Sequence, residues 1–138
     1  MTLPPWVFEP NPPQSAVLKE LVGSLYQRRS EGVILRRATA SIGEWRPQIH
    51  WCEKNVEAWV RFNPQHKRAD GYVFFDYRFW GLGFVRFQPH VVIENEAGEL
   101  VDITPHEAAD DHPFIRHIGS RDQFAAALEH GPLDLIIP

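Results

Sequence analysis

Residues 84–104, FVRFQPHVVIENEAGELVDIT, constrain the fold most, because their first half alternates between apolar and polar side chains. In an extended chain the apolar residues share one face and the polar residues the other: Val85, Phe87, Val91 and Ile93 against Arg86, Gln88, His90 and Glu94. Alternation with period two predicts a half-buried β-strand. A polar loop and a second apolar run follow, so the whole stretch is predicted to be a β-hairpin.

The register of this hairpin brings a histidine and an aspartate together. Residues 95–99 form the turn, in which Gly98 supplies the positive φ of a three-residue loop with a bulge. Val92 then faces Asp102, and Asp102 lies diagonal to His90 on the polar face, where such neighbours are roughly 7 Å apart. A slip of one residue would move Asp102 to the apolar face, so this prediction depends on the turn type.

Length and composition indicate one domain over residues 1–138, with a proline-rich arm at residues 1–13 and a core over 14–138. The apolar content of 43% predicts a packed interior. A formal net charge of −4 argues against nucleic-acid binding, since no basic excess exists to displace counterions. No signal peptide or membrane-length apolar run is seen, so a cytoplasmic protein is expected. No phosphate-binding loop or dinucleotide motif occurs, so no cofactor is expected.

Helical spacing predicts three helices. The first covers residues 14–29, is capped by Asn11 or Ser15, and has one apolar stripe: Val17, Leu18, Leu21, Val22 and Leu25. The second begins within a residue or two of Cys52 and ends at residues 62–64. The third covers residues 121–130, with Ser120 as its N-cap and Gly131 as its terminator. Three of its residues are predicted to point inward: Phe124, Ala125 and Leu128.

The remaining segments complete an α+β prediction. Residues 64–71 are predicted as a polar loop and residues 72–80 as a strand, so residues 72–104 form an antiparallel three-stranded meander flanked by helices. Residues 133–137 are predicted as an edge strand. Residues 33–35 fit either a strand or a short helix. In the arm, Trp6, Val7 and Phe8 are predicted to anchor residues 1–13 to the body.

Cys52 is the only cysteine. In the first turn of a helix, unpaired backbone N–H groups and the helix dipole would stabilise its thiolate, the nucleophile that acyl transfer needs. The alternative is a buried structural cysteine, because Cys52 shares an apolar stripe with Val56, Trp59 and Val60; residue chemistry alone favours this alternative. Asn55, in the same turn, is either an oxyanion donor or a helix-capping residue.

His90 is a candidate general base with Asp102 as its orienting carboxylate, and the alternative is a surface histidine on a solvated sheet face. A second group of titratable residues follows the hairpin: His106, Glu107, Asp110, Asp111, His112 and His117. Its spacing matches no zinc-binding pattern, so no metal site is predicted.

Four motifs of the chain resemble those of a group of small uncharacterised bacterial and phage proteins: Cys52-x-x-Asn55-Val56, Gly71-Tyr72, His90 and residues 98–105. These proteins carry C-x-x-N-V, G-W, a His before an apolar strand, and D-G-x-L-x-D-x-T-P. The resemblance covers roughly residues 45–105 and departs at Tyr72, where the pattern has Trp, and at Ala97, where it has Asp. It implies no function.

The order of a helix-borne Cys, a His on a strand and a polar residue on the next strand is similar to transglutaminase-like and NlpC-like members of the papain-like superfamily. The resemblance implies Cys52 as nucleophile, His90 as base and Asp102 as orienter. The leading hypothesis is therefore a cysteine hydrolase or acyltransferase acting on an amide or thioester of a small molecule or peptide. The rival hypothesis is an adaptor or immunity-type protein that binds a partner through its aromatic strand: Phe74, Phe75, Tyr77, Phe79 and Trp80.

Overall fold

The computed structural model describes residues 9–105 and 111–138. The predicted anchors Trp6, Val7 and Phe8, and also His106, Glu107 and Asp110, lie outside the described residues. The described chain forms three α-helices, α1 (Ala16–Gln27), α2 (Cys52–Phe62) and α3 (Arg121–His130). It also forms six strands: β1 (Arg36–Arg37), β2 (Lys67–Asp76), β3 (Phe84–Glu94), β4 (Leu100–Asp102), β5 (Phe114–Arg116) and β6 (Leu133–Ile136). The predicted α+β class is confirmed.

The strands form one mostly antiparallel sheet in the order β1-β4-β3-β2-β5, and β6 pairs with the first residues of β3. The predicted meander is present as β2, β3 and β4, and the predicted edge strand is β6. In the hairpin Ile93 pairs with Val101. One residue further from the turn, this register places Asp102 opposite Val92. Gly98 has a φ of 79° in the turn. The predicted register and turn are therefore confirmed.

Residues 33–37, whose conformation the sequence left open, connect both sides of the sheet. Val33 exchanges two backbone hydrogen bonds with Phe114 in β5, at 3.0 and 2.8 Å, and β1 pairs in parallel with β4. β5 and β4 are separated by two strands in the sheet, so a segment that bonds to both of them curls the sheet. The curled sheet surrounds a small apolar cluster of Ala69, Val92 and Phe114, against which Leu35 and Val73 pack. The curled sheet has a concave interior.

The larger core lies between the sheet and the helices, and it contains the predicted apolar faces of β3 and α1. Ser15 caps α1 by accepting a hydrogen bond from the Leu18 N–H. Two predictions about helix faces are wrong. Val17 is 55% exposed, and in α3 the buried alanine is Ala127 while Ala125 is exposed. The apolar stripe of a helix is wide, so the helix can be rotated about its axis and still bury most of the stripe. The contacts with the sheet then determine which residues at the edge of the stripe are buried.

The second strand also differs from its prediction. β2 begins at Lys67, inside the predicted polar loop, and ends at Asp76, where a 3₁₀ turn (Tyr77–Trp80) begins. Its polar residues are accommodated because Arg68 forms salt bridges with Glu53 and Glu57 of α2, at 2.8 and 3.3 Å, and with Asp70. Within the described residues, no helix is long and apolar enough to cross a membrane.

Candidate active site

His90 and Asp102 form a buried pair on the concave side of the sheet. Nε2 of His90 lies 2.8 Å from Oδ2 of Asp102, and the two side chains are 10% and 4% exposed. The other carboxylate oxygen of Asp102 accepts a hydrogen bond from the Thr104 backbone N–H at 3.1 Å. The predicted pairing on one face is confirmed, and the orientation of the imidazole is fixed by a carboxylate that is itself held in place.

Cys52 lies beside the same imidazole, and both side chains line one pocket. Because Nε2 of His90 is bonded to Asp102, Nδ1 is the ring nitrogen that remains available to the sulfur. Burial is the largest influence on the His90 pKa and lowers it. The hydrogen bonds and negative charges of Asp102 and Cys52 outweigh burial and raise the pKa to about 9. The arrangement therefore favours the protonated form of His90.

Cys52 is the first residue of α2, as predicted, and is partly accessible. Trp51, at the N-cap position, makes no side-chain hydrogen bond to the helix, so the first-turn N–H groups have no side-chain cap. The preceding residue, His50, has a φ of 67°, the one positive value at a non-glycine position among the described residues. Such backbone conformations are costly and often occur at functional sites.

Asn55 is buried and positions the segments around the cysteine. Its side-chain NH₂ donates to the Gln48 carbonyl at 2.7 Å and to Oγ1 of Thr104 at 3.1 Å, while its oxygen accepts from the Gln48 N–H at 2.9 Å. It thereby ties the approach to α2 to the end of the Asp102 strand. Because both amide protons are already donated, this geometry favours a positioning role over direct donation to an oxyanion.

A pocket of about 500 Å³ opens beside Cys52, His90 and Asp102. Its remaining lining comes from segments far apart in sequence: Leu35, Arg37, Ile49, His50, Val73, Phe75, Gln88, Pro89, Thr104, Pro105, Asp111 and His112. Sequence reasoning placed Gln88 on the His90 face but missed the other pocket residues. Val73 pairs with Gln88 across the strands, and only the register of β2 against β3 reveals that neighbour.

Among the described residues, no group of three or more His, Cys, Asp or Glu side chains is arranged to hold a metal ion. No family model, curated protein or solved structure matches the chain. The resemblance to papain-like proteins therefore stays a prediction. The chemical interpretation depends on the geometry of Cys52, His90, Asp102 and the pocket that they line.

Proposed function

We propose that the protein is a cysteine hydrolase or acyltransferase that acts on an amide or thioester of a small molecule or peptide. The observation that supports this most directly is the position of His90, whose Nε2 is hydrogen-bonded to Asp102 and whose ring lies beside the Cys52 side chain in the same pocket. A nucleophile, a base and an orienting group in contact, at the wall of a pocket, are the parts that covalent acyl transfer requires.

In the first half-reaction, the Cys52 sulfur, whose proton is held by His90, attacks the substrate carbonyl carbon as a thiolate. A C–S bond forms, and the carbonyl oxygen takes the negative charge, which the N-terminus of α2 favours. When the intermediate collapses, the bond from carbon to the amide nitrogen or thioester sulfur breaks. His90 gives its proton to that leaving group, and Asp102 keeps the imidazole oriented throughout.

The second half-reaction reverses these roles. A water molecule, or the amine or thiol of an acceptor, gives a proton to His90 and attacks the acyl carbon. The bond to Cys52 then breaks, and the sulfur leaves as a thiolate beside the protonated His90. Attack by water gives a carboxylic acid and attack by an acceptor gives a new amide or thioester. The lining does not distinguish these acceptors, so both reaction types belong to the proposal.

The proposal predicts that Cys52 reacts rapidly with iodoacetamide at low pH. A free cysteine titrates near pH 8.5, so at pH 6 its reaction is several hundredfold slower than on the alkaline plateau. With His90 protonated beside the sulfur, the native protein should react at pH 6 within about tenfold of its plateau rate. The rate constant is measured from pH 5 to 9 by mass spectrometry, with the Cys52→Ser protein as the blank.

His90→Ala should slow the reaction at pH 6 by at least about tenfold while the plateau rate remains. His90→Gln serves as a second variant that fills more of the site, and circular dichroism verifies that both are folded. A thiol that is protected in the native protein at every pH, and that reacts only in denaturant, would end the enzyme proposal.

A protein-binding function is the second candidate, favoured by two adjacent aromatic residues in the 3₁₀ turn after β2. Phe79 is 90% exposed and Trp80 is 72% exposed, although Phe74 and Phe75, from the same aromatic run, are partly buried. Large exposed aromatic side chains are enriched at protein interfaces. Native protection of Cys52 throughout the alkylation series would leave this candidate as the better one.

A further inference from the structure

We infer that the substrate carries an apolar group, aliphatic or aromatic, next to its scissile carbonyl, and that the concave side of the curled sheet binds this group. The inference rests on the proposed function and identifies the class of substrate. It comes from three features of the pocket beside Cys52: the floor, the pairing of its charges, and its size.

Apart from Gln88, the floor of the pocket that leads away from His90 is apolar. Val73 pairs with Gln88 across the strands, so both side chains point to the face that carries His90, two residues further along β3. Phe75, two residues after Val73, continues this face. The Phe75 ring lies 4.3 Å, centroid to centroid, from the ring of His112. A group extending from the sulfur along the floor would therefore contact a valine and then an aromatic wall.

The charged residues in the described part of the lining are paired with one another. Among the described lining residues, two are acidic, Asp102 and Asp111. Asp102 is paired with His90, and Asp111 lies 2.9 Å from a guanidinium nitrogen of Arg37. Because each of these carboxylates is compensated by a basic residue of the same pocket, the described lining has no excess of acidic groups that would select a cationic substrate. Recognition by these residues is then left to shape, apolar contact and hydrogen bonding.

The volume and the rim fit a group of several carbons. About 500 Å³ lies within the range of small-molecule sites and exceeds what an acetyl group would fill. Leu35 and Ile49 also line this pocket. Ile49 is 37% exposed, so its apolar side chain can contact a ligand at the opening. Each methylene group buried there should increase binding by about fourfold.

A homologous series of alkylating agents tests the inference without a known substrate. The second-order rate constants for modification of Cys52 in the wild-type protein are measured with N-methyl-, N-propyl- and N-hexylchloroacetamide. Each is divided by the rate constant of the same reagent with glutathione. If the floor binds apolar groups, the corrected rate should rise along the series, and the hexyl reagent should exceed the methyl reagent by at least about tenfold.

A pair of matched variants locates the effect. Ile49→Asp places a carboxylate at the rim and should reduce the hexyl-to-methyl ratio to below about threefold. Ile118→Asp makes the same change at a residue that is 65% exposed and does not line the pocket, and it should keep the wild-type ratio.

The two proposals fail in different ways in this experiment. Rapid modification at pH 6 by all three reagents, with equal corrected rates, would overturn the apolar-substrate inference and leave the proposed cysteine chemistry supported. Absence of modification by every reagent in the native protein would overturn the proposed function and the inference with it. A hexyl preference that Ile49→Asp leaves unchanged would overturn the assignment of the bound apolar group to the pocket that Ile49 lines.

Discussion

Replacing Asp102 by asparagine tests the interaction on which the site depends. Asp102 accepts from the Thr104 N–H through one oxygen, and its other oxygen lies 2.8 Å from Nε2 of His90. An asparagine that keeps the Thr104 bond presents its NH₂ group to His90. An NH₂ group cannot accept a hydrogen bond from the Nε2–H of His90. The neutral ring must therefore carry its proton on Nδ1, and the protonated ring loses its hydrogen bond to a carboxylate.

The size of the effect follows from the pKa of His90, which hydrogen bonds and charges raise to about 9, against an ordinary value of 6.5. A difference of about 2.5 pH units corresponds to about 3 kcal/mol of folding free energy. Because the folded-state pKa is raised, this stabilisation is fully present below about pH 6.5 and is lost as the pH rises through about 9. Asp102→Asn removes the larger of the two influences that oppose burial, the other being Cys52, so most of this contribution should disappear.

Urea unfolding of both proteins between pH 6 and 9.5 measures this contribution. The free energy of unfolding is extrapolated to water at each pH, and the wild-type value minus the variant value is plotted. The difference should be larger at pH 6 than at pH 9.5 by about 3 kcal/mol. The series stops below pH 10 because burial raises the pKa of Tyr72, which would add its own pH dependence above that point.

The matched control is Asp76→Asn. Asp76 is paired with Arg78 near the surface, at 2.7 Å, and the pKa of its carboxyl is lowered, chiefly by the Arg78 side-chain hydrogen bond. Its contribution to stability therefore changes only in acid, and the difference from wild type should be constant between pH 6 and 9.5. If Asp102→Asn also gave a constant difference, Asp102 would not be what keeps His90 protonated, and the reasoning would be refuted.

Further substitutions test the core and the segment before α2. Leu21→Ala should lower the free energy of unfolding by about 2–5 kcal/mol, because Leu21 is buried. The control Val17→Ala, at an exposed residue of the same helix, should change the free energy of unfolding by less than about 0.5 kcal/mol. A loss below about 1 kcal/mol for Leu21→Ala would place Leu21 outside the core. Asn55→Ala should cost about 1–3 kcal/mol by leaving the Gln48 backbone groups without their partner, and should also slow Cys52 alkylation at pH 6. Alkylation at the wild-type rate would limit Asn55 to a structural role.

The hairpin and its His–Asp pair were predictable because both depend on local information. Alternation over β3 identifies the faces, and Gly98 in a short loop determines the register, so the amino-acid pattern alone places Asp102 diagonal to His90. The helix that begins at Cys52 was predictable for the same reason, since its apolar positions repeat along a single segment.

The pocket was not predictable, because it is made by pairings between distant segments. Residues 33–37 carry no clear periodicity, yet they connect β5 to β4 and give the sheet its concave side. Gly71 was predicted to end the polar loop before a strand but lies within β2, where a Cβ atom would collide with the Ile115 carbonyl oxygen. A glycine required by close approach of a neighbouring strand looks like a loop glycine in sequence.

The two interpretations of Cys52 prove to be compatible. The residue packs against the main core together with Trp59 of the same helix, as a structural cysteine would. It is also the first residue of α2, where the apolar stripe meets the pocket and the imidazole of His90. Burial on one side is therefore compatible with either a structural or a reactive thiol. The group beside the sulfur at the pocket is His90, whose protonated form the buried Asp102 helps to stabilise, and the proposed reactivity depends on this neighbour.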